Sequence, residues 1–138
     1  MKQLFKEIII KTSGQRLYDF TDDVNCWIKD NNFEKGIINI NILHTSASLI
    51  IQENADPDVQ KDILNFFDKL VPMNEKYIHD TEGKDDMPAH IKSILTNTNL
   101  SISINKKKLI LGTWQGLYLF EHRFETQIRK INLHYIGE

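Results

Sequence analysis

The chain has 138 residues, 41% of them hydrophobic and 26% charged, with a formal net charge of −2. That length suits a single domain, residues 1–138, able to bury roughly 70% of its unfolded surface without disulfides. A near-neutral charge argues against a general polyanion binder, and no apolar run approaches the roughly 18 residues of a membrane span, so neither nucleic acid nor membrane is expected as a partner.

The opening Met1-Lys2-Gln3-Leu4-Phe5-Lys6-Glu7 is charged where a signal peptide turns apolar, so a cytosolic location is expected. Leu4 to Thr12 is β-branched and apolar-rich and ends at Ser13-Gly14-Gln15, a strand followed by a turn. Thr21 before Asp22 and Asp23 reads as a helix cap with acids in the first turn, and Val24, Trp27 and Ile28 share a helical face up to about Asn32. The lone Cys26 on that helix is expected to be a packing thiol. After Gly36, Ile38, Ile40 and Ile42 alternate with Asn39 and Asn41, the period of a strand with one wetter face, and a further strand spans Ala47 to Gln52.

Asp56 caps and Pro57 opens the clearest helix, which Pro72 stops. Val59, Ile63, Phe66, Phe67 and Leu70 recur along it at helical spacing and are expected in the core. Pro88 opens a short helix from Ala89 to about Leu95. Leu100, Ile102 and Ile104 alternate with serines, and strands follow at Lys108–Leu111, Leu117–His122 and Thr126–Tyr135, with Lys106-Lys107-Lys108 at a solvated hairpin tip. Strands joined by short turns imply a mostly antiparallel sheet with helices packed against it, the α+β class.

Polar chemistry gathers in three segments. His44-Thr45-Ser46-Ala47-Ser48 ends one strand and is followed by Glu53-Asn54-Ala55-Asp56; the hydroxyls of Thr45, Ser46 and Ser48 are suited to a phosphate or a metal-held water. No Gly-x-Ser-x-Gly pattern supports a serine hydrolase. The acid-rich loop from His79 to His90 is the second, and its two imidazoles with His44 form a candidate three-histidine metal site, with Asp80, Asp85 and Asp86 as partners of the imidazoles or ligands of Mg²⁺. The third is Leu111-Gly112-Thr113-Trp114-Gln115-Gly116, where Trp114 can stack a flat ring and Gln115 read its edge. Glu121, Arg123 and Arg129 follow on strands as candidates for the same pocket, whereas His122 and His134 have no polar cluster around them in sequence.

Four blocks, His44–Ser48, Glu53–Asp56, Asp85–Lys92 and Leu111–Gly116, in this order and spacing, resemble the YjbQ-like family, secondary thiamine-phosphate synthases. The resemblance implies a small α+β homotrimer with its site near subunit contacts. It also implies a transferase that joins hydroxymethylpyrimidine diphosphate to thiazole phosphate. His44, His79 and His90 would then hold a divalent metal, Zn or Mg. Asp85, Asp86, Glu53, Trp114 and Gln115 would serve catalysis, and Thr45, Ser46, Ser48, Asn54 and Arg129 the phosphorylated small-molecule substrate. Two other functions fit the same residues: a binding protein for a phosphorylated or carboxylated metabolite, and a metal-dependent phosphate-ester or amide hydrolase.

Overall fold

A computed structural model describes residues 1–138. Its elements run β1 (Lys2–Ser13), β2 (Arg16–Asp19), α1 (Thr21–Asp30), β3 (Lys35–Ile42), β4 (Ala47–Glu53), α2 (Pro57–Leu70), α3 (Asp86–Leu95), β5 (Asn99–Asn105), β6 (Lys108–Leu109), β7 (Gln115–Glu121) and β8 (Thr126–Gly137). Every strand pairing is antiparallel. One sheet has the order β1-β8-β3-β5-β6 and the other β2-β7-β4.

Alternation decides which faces meet. Ile38, Ile40 and Ile42 of β3, Leu100, Ile102 and Ile104 of β5, and Ile131, Leu133 and Tyr135 of β8 all point inward. There they meet Leu49, Leu117 and Leu119 of the smaller sheet and Val24, Trp27 and Ile28 of α1. Burying each such side chain contributes about 1.5–3 kcal/mol, so this single interior supplies most of the drive to fold. The helix Thr21–Asp30 and the alternating strands form as their periodicity predicts, and the α+β class holds; Thr21 is the first helical residue rather than the cap, which is Phe20, and its Oγ1 donates to Asp19 Oδ1.

Four further expectations change. α2 has no buried residue; Ile63, Leu64 and Phe67 lean on a minor cluster of Leu17, Tyr118 and Phe120 on the far side of the small sheet, while Phe66 and Leu70 stay 60% and 53% exposed. The stripe is amphipathic, but the small sheet is too narrow to cover it. Cys26 is exposed, because it falls between Val24 and Trp27 on the outer side of α1. A short strand, β2, follows the Gly14 turn and pairs with β7. α3 begins at Asp86, three residues before Ala89 and with Pro88 inside its first turn, where a missing N–H breaks no intrahelical bond.

The hairpin tip is as expected: Lys106 and Lys107 both take positive φ, which closes β5 onto β6 in two residues. At the same end of the large sheet, beside that tip, β3 and β8 approach closely at Gly36. A Cβ there would press into the Ile136 carbonyl, the Gly137 Cα and the Tyr135 ring. Gly36→Ala should therefore destabilise the protein by about 1–3 kcal/mol, read as a lower urea midpoint at unchanged slope.

Candidate metal centre

α3 fixes the site. Because the helix starts at Asp86, Asp86 and His90 stand one turn apart on one face, four residues along. The preceding loop folds back so that His79 Nε2 donates to Asp86 Oδ2 at 2.6 Å. His90 Nε2 lies 3.2 Å from the same oxygen. Ligand atoms of His79, Asp86 and His90 all lie within 4.8 Å of one another.

The second oxygen of Asp86 is taken by Arg123 Nη1. Arg123 also donates from Nε to Asp85 Oδ2 at 3.0 Å and from Nη2 to the Glu82 carbonyl at 2.8 Å, and Phe124 N–H donates to Asp85 at 2.9 Å. One guanidinium thus pins both acids and the loop ahead of them to the strand end after β7. Asp85 is engaged in that anchor, while Asp86, expected as a partner of the imidazoles or a ligand of Mg²⁺, turns one oxygen toward both imidazoles.

His90 is held from its other side. The Thr45 carbonyl only accepts, so the 2.9 Å contact at Nδ1 places a proton on that nitrogen. His90 Nε2 faces the Asp86 carboxylate. His79 Nε2 meanwhile faces two carboxylates with a single proton, Asp86 and also Glu82 at 3.0 Å. The arrangement is short of positive charge. Its electrostatics follow: the hydrogen bond to Asp86 raises the His79 pKa above its ordinary value. For Asp86 burial acts upward, but the hydrogen bond from His79 and the charges of Arg123 and His90 outweigh it and hold the carboxyl below its ordinary range.

His44 stands apart. Its Nε2 accepts the Lys130 N–H at 2.7 Å, so that lone pair is occupied, and burial together with the Arg129 charge lowers its pKa. Asp86 therefore stands in the cluster where His44 was expected. Arg129 and Ser48 are engaged within the chain. Arg129 is 3% exposed and is used on Glu121 and Ser46; Ser48 is fully buried, with its Oγ 2.8 Å from His122 Nε2 and 2.5 Å from Thr96 Oγ1.

His122 has a polar neighbourhood after all, assembled from β4 and α3 and invisible along the sequence. Its Nδ1 is buried without a partner. Burial, then the charges of Lys92 and Arg129, push its pKa down to about 3.

Glu53, Asn54, Trp114 and Gln115 gather at the opposite end of the small sheet. The β4–β7 register runs from Ala47↔Glu121 to Glu53↔Gln115, about 20 Å at the usual rise per residue. There Gln115 Oε1 closes the turn by accepting the Gly112 N–H at 2.7 Å, and Trp114 is 64% exposed. Within one chain the expected single pocket is two separate places. The groove beside the cluster is instead lined by Asn74, Lys76, Tyr77, His79, Asp80 and Lys84, with a volume of about 840 Å³.

Residues 6–138 match the family model for UPF0047 protein YjbQ-like. A UPF0047 protein of Synechocystis sp. is 46% identical over 95% of this chain and 90% of its own length. The YjbQ protein of Escherichia coli O157:H7 is 46% identical over 91% and 92%. Among solved structures, a protein of unknown function from Sulfolobus solfataricus superposes with a TM-score of 0.91 at 25% identity, covering 99% of both chains. A YjbQ/UPF0047 protein from Clostridium acetobutylicum superposes at 0.87 with 38% identity, covering 95% of this chain and 99% of its own. No helix is long and apolar enough to cross a membrane.

The titration of His122 has a measurable consequence. Unfolded, its imidazole takes a proton near pH 6.5; folded, only near 3. Stability is therefore lost as pH falls below 6.5. His44, also lowered, acts in the same direction; His79, raised, adds stability that is complete below 6.5 and lost as pH rises through its folded value. Comparing wild type with His122→Asn isolates the one group: between pH 8 and 5 the wild type should lose about 2 kcal/mol more in urea unfolding than the variant.

Proposed function

The chain belongs to the UPF0047 YjbQ-like family, and we propose that His79, His90 and Asp86 hold a divalent transition metal for the hydrolysis of small phosphorylated molecules. The observation that carries this reading is how His90 is held. Nδ1 is committed to a backbone carbonyl, as in imidazoles that ligate metals, and Nε2 points at a carboxylate that already faces His79. Two imidazoles and one carboxylate suit zinc or iron; Mg²⁺, which prefers oxygen ligands, suits them poorly. Three protein ligands leave positions open for water and substrate.

A bound divalent ion supplies Lewis acidity and lowers the pKa of water. The residues do the rest. Asp85 and Arg123 neutralise each other, and Asp86 with Glu82 would balance a divalent ion. Lys76 and Lys84 are offset in the groove by Glu75 and Asp80. Attraction of a phosphoryl group would therefore come from direct coordination at the ion's open positions and not from a net charge. Glu82 Oε2, 3.0 Å from His79 Nε2 and open to solvent, would take a proton from the attacking water as its oxygen bonds to phosphorus, and pass that proton to the alkoxide oxygen as the P–O ester bond breaks and the alcohol leaves. Arg123 keeps Asp86 from rotating away.

The transferase implied by the resemblance needs the Trp114–Gln115 turn over a substrate ring. That turn lies at the other end of β4 and β7, and for this reason hydrolysis is the better-supported reading. Our proposal includes association of copies as a homotrimer, through the outer face of the large sheet, where Phe5, Ile9, Ile37 and Ile128 are exposed.

Zinc-supplemented protein should release phosphate from a panel of phosphate monoesters including p-nitrophenyl phosphate. Asp86→Asn and His90→Ala should reduce turnover ~100-fold or more, the scale for losing a group that stabilises developing charge. Each should also lose bound zinc by elemental analysis. Turnover or zinc content equal to wild type in both variants would reject the assignment.

A further inference from the structure

The loop that carries the Thr45 carbonyl belongs to no helix or strand, yet His90 depends on where that carbonyl points. It is anchored on both sides by β8. Leu43 N–H donates to the Lys130 carbonyl at 3.1 Å, and Lys130 N–H donates back to His44 Nε2 at 2.7 Å. Beyond Thr45, Arg129 Nη2 donates to Ser46 Oγ at 3.0 Å and to the Ser46 carbonyl at 3.2 Å.

Arg129 is itself fixed by Glu121, through Nε at 2.7 Å and Nη2 at 2.5 Å. Glu121 is fully buried, and its remaining capacity is filled by Thr12 Oγ1 at 2.5 Å and the backbone N–H groups of His122 and Arg123. Each carboxylate oxygen of Glu121, and Nε and Nη2 of Arg129, has a partner inside the protein. The fork geometry of the guanidinium, which a lysine cannot reproduce, is used to grip one peptide of the loop.

We infer that the buried Glu121–Arg129 pair is a positioning device for the metal centre: through Ser46 it holds the Thr45 carbonyl against His90 Nδ1 and so keeps Nε2 free to ligate. The inference rests on the proposed metal site for its purpose, but not for its geometry. Arg129 touches neither the ligand atoms nor the groove, so it is a positioning residue and not a catalytic one. His44 shares the task as the loop's second anchor. Accepting from Lys130 requires an unprotonated Nε2, and burial favours the neutral ring that provides it.

The test uses the full chain, zinc as the probe, and two readouts. Long-range proton–nitrogen NMR on the zinc-free protein at pH 8 reports the His90 tautomer, and chelator competition reports zinc affinity. Wild type should show His90 protonated at Nδ1. Arg129→Lys should mix the tautomers, leave His79 unchanged, and weaken zinc by about 10–100-fold, the usual scale for groups supporting a ligand. Ser46→Ala, at a half-buried loop position that tolerates truncation, should move both readouts the same way by less. It carries the test if Arg129→Lys does not fold. A folded Arg129→Lys with the wild-type tautomer, or Ser46→Ala indistinguishable from wild type, would overturn the inference. A wild type that binds no zinc, with the tautomer still shifting in the variants, would reject the metal reading alone.

Discussion

A carboxylate with no surface exposed to water has to be met by donors on every side, and Glu121 is that carboxylate here. Its donors come from β1, through Thr12; from β8, through Arg129; and from the backbone just after β7. The large and small sheets are thereby tied together at one end of the molecule. Removing Arg129 would strand the Glu121 charge in a dry interior, a cost of about 3–5 kcal/mol, so the pair constrains this end of the molecule. The strand ends that leave the knot carry Arg123 to the acid pair and Ser46 to the loop beside His90, and the site inherits their rigidity.

Function in this fold then reads as a division of labour between two buried arginine systems. Arg129 with Glu121 is wholly internal and sets the backbone that orients His90. Arg123 is partly exposed and grips Asp85 and Asp86 directly, so that one oxygen of Asp86 is left for its imidazole partners. The helix α3 links both to the rest of the fold: Lys92, nearly buried, reaches Asp68 of α2 at 2.6 Å, and Thr96 reaches Ser48 on β4. A three-residue cluster that is open to a groove on one side and braced on the other is how a small domain holds reactive geometry without a large core beneath it.

The sequence carried the sheets well and the site unevenly, and the reasons are physical. Period-two alternation in β3 and β5 survives because one face of the large sheet is buried along its length. The same reasoning misplaced α2, since an amphipathic stripe says which side of a helix turns inward but not how much sheet is there to cover it. His79, His90 and the acid pair stood out because polar residues so dense have no place in a core. The pairing of Asp86 with His90 on one helix face was hidden by starting α3 at Ala89: once the helix begins at Asp86, the four-residue spacing is legible. His122 could not be found along the chain, because its partner Ser48 lies 74 residues away and is itself met by Thr96. Trp114 and Gln115 were legible as a special turn, but their distance from His79 follows from the β4–β7 register, which local pattern does not encode.

The central claim is that His79, His90 and Asp86 share one cation. A crystal structure of the zinc-soaked full chain, with anomalous data on both sides of the zinc edge, tests it most directly. The account predicts one peak about 2.0–2.2 Å from His79 Nε2, His90 Nε2 and Asp86 Oδ2, with His90 Nδ1 still donating to Thr45. A zinc peak elsewhere, or His90 Nε2 hydrogen-bonded to Asp86 with no peak between them at saturating zinc, would contradict it.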